Sequence, residues 1–585
     1  MDAFFRRVLL FVFPICLIFP LYSGEELTFP AAASNTVPDW ALGTLYFPKL
    51  RVGLDKAGDY ANRLVPNSAE LAKQIVMNAI FKLPVDAGLK KDGAAQIFML
   101  DSFVTKVNDM AFILPVEDVN AVKTSLLNTF GAPEEDAGTL VFTLPQPLPN
   151  PDKKLLIRFI KDRMLVSPDG PVLKKLEEYA EDKATGVALS AISVDALMTI
   201  RMQAVRRTVG DMLGMILEMG VAQTAGGNQE QAARLSAQIK SLLVSVWEVE
   251  TLQIGLDLQA GGEKGTLELK AIPRKGSNLA QIFQKFNSTV NPSLDSLFPP
   301  KGALQFKWRM SGAEIAEMLN TNFAPDTGSP LHAAARSAVQ ALGDLLKLSN
   351  GDAAIGIGTA EQKPVLLVVL GLGDAQKAQP KIKETLEKAI SAAQESANAE
   401  AKATHRIAPV VRMKEAKIIT HGGMTIYEHS MEFEKVTPEE REAMSAVLGT
   451  EMAVRYALID NQIVVALGTG GLSALKSAIE NRKAAQPALG ANTVIQGSIS
   501  AVRVVNLFAG VMPVTVAATR GLSDAEITLA LQQTDGALAL RIGIPADAAL
   551  SIMEIPKRLR RANIHLGDIL KEFDAGDAPA PAPAP

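Results

Sequence analysis

The chain has 585 residues, 48% of them hydrophobic and 21% charged, with a formal net charge of -4 at pH 7. One hydrophobic core does not extend over such a length, so two to four domains are expected, and the balance of apolar and charged residues excludes a disordered or wholly membrane-embedded chain. A near-neutral charge without a long Lys/Arg block excludes nucleic acid as a partner, because a phosphate backbone demands a concentrated basic surface.

Residues 1–33 read as a secretory signal peptide. Arg6 and Arg7 give the positive start, Val8 to Tyr22 is an apolar run broken only by Pro14 and Pro20, and small residues follow at Ser23, Gly24 and Ala31 to Ala33. Ala31 with Ala33 fits the small-x-small cleavage rule better than a cut after Ser23 or Gly24. The run falls short of the roughly 20 apolar residues that span a bilayer comfortably; an uncleaved N-terminal anchor is the alternative. The single cysteine, Cys16, lies in this segment and follows Ile15 rather than the small residue of a lipoprotein site. The mature chain is thus expected in the periplasm or outside the cell, with peripheral or no membrane association. It would have no disulfide, thiolate metal site or cysteine nucleophile.

Two stretches then repeat one order of landmarks. The first domain, 34–295, opens on the strand-like Trp40 to Phe47 and a helix over Lys49 to Asn62; the second, 296–560, opens on Ala303 to Met310 and a helix over Ser311 to Thr321. An apolar strand ending at an Asp-led helix follows in each: Met110 to Asp118 before Val119 to Phe130, and Pro364 to Asp374 before a helix reaching Ala399. Next come paired strands around Asp162-Arg163 and Asp460-Asn461, then polar turns Ser167 to Gly170 and Gly468 to Gly471 entering helices. Ala188 to Ser193 matches Ile495 to Ser500. Closing hairpins, Leu252 to Leu258 with Gly265 to Pro273 and Ile527 to Gln532 with Gly536 to Pro545, complete each set.

Alternating apolar and polar residues in those hairpins mark an antiparallel sheet with one face covered and the other nearer solvent. The fold class expected is α+β: two tandem, similar domains, each a mainly antiparallel sheet with helices packed on one face. Pro292, Pro299 and Pro300 mark the join, and the segment 561–585 ends in a Pro/Ala tail unable to build a core. Insertions distinguish the halves: a helical one at 194–248 and a polar, helix-favouring one at 375–403. In the first, Met198, Met202, Val205, Val209, Met212, Ile216 and Met219 recur at three- and four-residue steps, and with Met215 they make a methionine-rich stripe suited to a core or to an adaptable lipid or partner surface.

No motif assembles a recognisable active site. His421 and His429, eight residues apart around a turn, do not have the spacing of a metal-binding helix. Gly468-Thr-Gly-Gly471 enters a helix, as anion-holding turns do, but without a P-loop Lys. Ser473-Ala-Leu-Lys476 spells S-x-x-K without its companion motifs. Glu134 to Asp136 are assigned to a solvated loop or a helix start, and Lys557, Arg558, Arg560 and Arg561 to a solvated helix face, with a weak contact to an anionic surface as the alternative.

The layout over residues 38 to 550, with hairpins such as Ile157 to Val166, resembles exported bacterial proteins built from domains of unknown function with an internal duplication. That resemblance carries over no residue role and no activity. The leading expectation is an exported, non-enzymatic binding or scaffolding protein without cofactors, whose partner is a protein, a lipid or another envelope component. Apolar-ligand binding at the methionines is a sub-case, and an extracytoplasmic hydrolase with a dispersed site is the rival.

Overall fold

A computed structural model describes residues 37–76, 88–107, 109–144, 153–182, 192–224, 243–285, 302–309, 348–385, 410–434, 453–482, 493–507 and 514–561, with positions 189, 236, 294, 297–298, 387–388 and 391. The leader, the stretch Ser311 to Thr321, most of the 375–403 insertion and the Pro/Ala tail lie outside the described residues.

The fold is α+β with a large antiparallel sheet. Strands of the first half are β1 (Ala41–Phe47), β2 (Ala95–Leu100), β3 (Met110–Pro115), β4 (Glu134–Asp136), β5 (Thr139–Leu144), β6 (Lys153–Ile160), β7 (Arg163–Ser167), β8 (Ala196–Arg201), β9 (Val249–Leu258) and β10 (Lys264–Pro273). Then follow β11 (Leu304–Arg309), β12 (Ser349–Ala360), β13 (Lys363–Leu372), β14 (Val410–Met413), β15 (Lys417–His421), β16 (Met424–Glu434), β17 (Ala453–Ile459), β18 (Gln462–Leu467), β19 (Thr493–Ile499), β20 (Ile527–Thr534) and β21 (Ala537–Pro545).

The chain forms two compact units, one holding Gly24–Lys285 with Gln533–Ala546, the other Phe286–Gln532 with Asp547–Pro585. In the first, the strand order is β4-β5-β6-β7-β3-β2-β1-β8-β9-β10-β21. In the second it is β15-β16-β17-β18-β13-β12-β11-β19-β20, with β14 paired to the distal end of β16. Setting β14 aside and counting strands along each half, both orders run 4-5-6-7-3-2-1-8-9.

Local chemistry explains many of the element boundaries. Asp118 accepts from Asn120 N and Ala121 N to cap the helix Val119–Phe130, Asp169 accepts from Val172 N to cap Gly170–Glu181, and Asp374 accepts from Gln376 N and Lys377 N where helix begins. Such side-chain acceptors satisfy amides that the first turn leaves orphaned. The β6–β7 hairpin closes at Lys161-Asp162, one residue earlier than the expected Asp162-Arg163, because Lys161 takes the left-handed conformation; β17–β18 closes at Asp460-Asn461 as expected.

Helices cover both sheet faces, where the sequence led us to expect one. In the first unit Val122 and Leu126 pack with Ile97, Phe112, Leu114 and Met164, while Val172, Leu173 and Leu176 pack with Phe98, Leu100, Ile113 and Leu165 from the opposite face. The second unit has Leu475 and Ile479 against Leu367 and Val464 on one side, and Ala378 and Ile382 against Leu370 and Ile463 on the other. The reason lies in β2, β3 and β13, whose nearly unbroken apolar runs are buried on both sides.

Two further expectations change. Ala188 to Ser193 forms no strand at its described positions; the strand beside β1 is β8, inside the segment expected to be helical, where Leu197 and Thr199 alternate with Met198 and Ile200. Glu134 to Asp136 form the short edge strand β4 rather than a loop, an exposed acidic edge that discourages further strand pairing.

Candidate functional site

The site centres on β9, where the side-chain alternation is inverted, and on β10, where Glu268 and Lys270 are buried along with Leu269 between them. On β9 the polar row Thr251 and Gln253 is buried, while Leu252 and Ile254 are half-buried and Leu256 is exposed. Register extends this row across the sheet: Gln253 faces Lys270 on one side and Thr199 on the other, and Thr199 faces Thr44. A second row places Glu268 between Gly255 and Arg541. Thr44, Thr199, Gln253, Glu268, Lys270 and Arg541 are all buried.

Within these rows the polar groups are unequally satisfied. Arg541 Nε donates to Glu268 Oε2 at 2.6 Å, a charge-assisted bond between buried partners. Burial nevertheless pushes the Glu268 carboxyl up to about 7, with Arg541 and then Lys270 pulling the other way. Burial pulls the Lys270 ammonium down, opposed by Glu268 and Asp535 and reinforced by Arg541. Gln253 is 1% exposed, and neither its Oε1 nor its Nε2 has a hydrogen-bond partner among the described residues. A buried amide left unpaired costs roughly 1–3 kcal/mol per group. Beside these groups, Gly255 has no side chain and Ala539, opposite Lys270, has only a methyl.

The second unit carries polar residues on strands at the same places in its order. Buried Lys307 faces Gln496, and Ser498 faces Thr528. Gln496 Oε1 and Thr528 Oγ1 have no hydrogen-bond partner among the described residues.

The methionine stripe divides. Met198 lies on β8 between Leu45 and Ile254, on the sheet face opposite Gln253, rather than on a helix. Met202 opens the helix Met202–Thr224 and is half-buried, and Ala204 and Val205 in its first turn are buried. Met212, Met215 and Met219 are exposed by 46%, 59% and 60%, forming an apolar strip with Ile216. Arg207, on the same helix, pairs with the buried Asp101, which also accepts from Phe103 N.

Other sequence candidates resolve into structural roles. His421 ends β15 at the expected hairpin and bonds Glu480 at 2.8 Å, whereas His429 is buried, stacks on Tyr456 and contacts the Lys414 carbonyl through Nδ1. In the Gly468 to Gly471 turn, Gly470 N donates to the Pro364 carbonyl and Gly471 N to that of Gly468, so both amides are already spent. Ser473 and Lys476 sit one turn apart on the helix Gly471–Asn481. Among the described residues no three His, Cys, Asp or Glu side chains gather as metal ligands, and no helix is long and apolar enough to cross a membrane.

Sequence reasoning missed Gln253, Glu268, Lys270 and Arg541. Their alternation with leucines was visible, but it reads most simply as polar residues facing water. Comparison with protein families, with curated proteins and with solved structures finds no match for the chain.

Proposed function

We propose that this is an exported binding protein of the cell envelope, built by duplication of one sheet-and-helix unit, which holds a ligand against the polar face of β8, β9, β10 and β21. The observation that carries the binding reading is Gln253, buried with neither amide atom partnered among the described residues and set opposite the buried residue Lys270. Stability alone favours an apolar residue at such a position; a ligand supplying the missing partners recovers what folding leaves unsatisfied. Export rests on the leader-like residues 1–33.

Duplication draws support from the coinciding strand orders of the two units.

Mass spectrometry of the purified mature chain tests the binding reading. The expected result is a small molecule released on denaturation and absent from a Gln253→Leu preparation. A ligand-free chain, or one retaining the same molecule after the substitution, overturns the proposed place of binding. A second reading, lipid bound through Met212, Met215, Ile216 and Met219, is favoured by the exposure of that strip. The same extraction decides it: lipid retained by Gln253→Leu and lost from a variant carrying Ser at the three methionines supports the second reading over the first.

A further inference from the structure

We infer that the ligand of the β9–β10 face is an oxyanion with a hydroxyl beside it, a hydroxycarboxylate or a phosphorylated polyol, held by the Lys270 ammonium and the Gln253 amide. This rests on the binding reading above and adds the chemistry of what is bound.

Charge is the first argument. The described cations and carboxylate of the two rows are Lys270, Arg541 and Glu268, and Glu268 is engaged by Arg541 at 2.6 Å. Lys270 makes no salt bridge with a described carboxylate, and Glu268 and Asp535 reach it only as longer-range attraction. An ammonium with no salt bridge to a described carboxylate favours an incoming anion and disfavours a metal cation.

Hydrogen-bond inventory is the second. Gln253 has an unspent donor in Nε2 and an unspent acceptor in Oε1. A bare carboxylate would accept from Nε2 and pair with Lys270 but leave Oε1 orphaned. A neutral polyol would serve the amide and leave the ammonium unpaired. An oxyanion with an adjacent hydroxyl serves all three groups. Register puts Lys270 and Gln253 directly opposite on neighbouring strands, so their side chains start about 5 Å apart on one sheet face, within reach of one bound group.

Calorimetric titration and thermal shift on the mature chain test this with glycerol 3-phosphate, lactate, acetate and glycerol as probes. Either glycerol 3-phosphate or lactate should bind about tenfold or more tighter than acetate or glycerol, and which of the two does so distinguishes the phosphate source from the carboxylate source. Lys270→Met should abolish that binding, and Gln253→Leu should erase the preference for the hydroxyl-bearing probe. Without ligand, Gln253→Leu should raise the melting temperature, since it removes two orphaned groups; a lower one means that the amide is satisfied in the free protein and overturns the inference. Unchanged binding in both variants overturns it as well. If no probe binds while an uncharged molecule co-purifies in a Gln253-dependent way, the ligand class fails and the binding reading stands; if nothing co-purifies and no probe binds, both fail.

Discussion

Glu268→Gln should change the pH dependence of stability in a direction fixed by the structure. Burial lifts the Glu268 carboxyl from an ordinary 4.5 to about 7 in the folded protein, whereas the unfolded chain releases that proton near its ordinary value. Between these two pH values the folded state holds a proton that the unfolded state has lost, so this group's contribution to stability is complete below 4.5 and falls as pH rises towards 7. At roughly 1.4 kcal/mol per pH unit, the whole span amounts to about 3 kcal/mol. Gln offers Arg541 Nε an uncharged acceptor of the same reach and does not titrate. Wild type should therefore lose about 3 kcal/mol relative to the variant between pH 4.5 and 7.5, and nothing further above that range. Denaturant titrations of both proteins at four pH values across the window measure this directly. If the two curves stay parallel, or if wild type gains on the variant as pH rises, then Arg541 outweighs burial and the account of this ion pair is wrong.

Other substitutions probe the packing. Phe98 is fully buried with its ring 5.0 Å from both Trp40 and Tyr179, so Phe98→Ala should cost about 3–5 kcal/mol in chemical denaturation and weaken the near-UV circular dichroism signal. Gly497 faces Phe306 across β11 and β19, and a Cβ there would overlap both the Phe306 ring and the Gln305 carbonyl. Gly497→Ala is expected to cost at least about 1–3 kcal/mol by the same assay; an unchanged midpoint contradicts that close approach. Asp118→Ala removes the acceptor of two first-turn amides and should cost about 1 kcal/mol. Replacing Met212, Met215 and Met219 by Ser should leave stability within about 0.5 kcal/mol for each substitution because all three are exposed, whereas a loss typical of core deletion would place that strip inside a packed interface.

Much of the α+β layout was legible because it depends on neighbours in the chain. Asp118 and Asp374 announce their helices through their own capping bonds, and the β17–β18 hairpin closes at the turn read from Asp460-Asn461. β8 was misread because Met198 continues the spacing of Met202 and Val205; its strand state is stabilised by ladders to β1 and β9, remote in sequence. The polar rows were missed for a related reason. Gln253 and Lys270 are 17 residues apart in the chain and meet only through the β9–β10 register, and Arg541 reaches Glu268 from 273 residues away.

By itself, the sequence determined which residues share a face: a period of two along β9 and β10 sets the leucines against Gln253, Glu268 and Lys270 wherever those strands end up. Only the tertiary structure decided which of the two faces is buried, because burial depends on what packs over a strand rather than on its own pattern. That decision set a buried amide with no hydrogen-bond partner among the described residues opposite a buried lysine on an ordinary alternating hairpin.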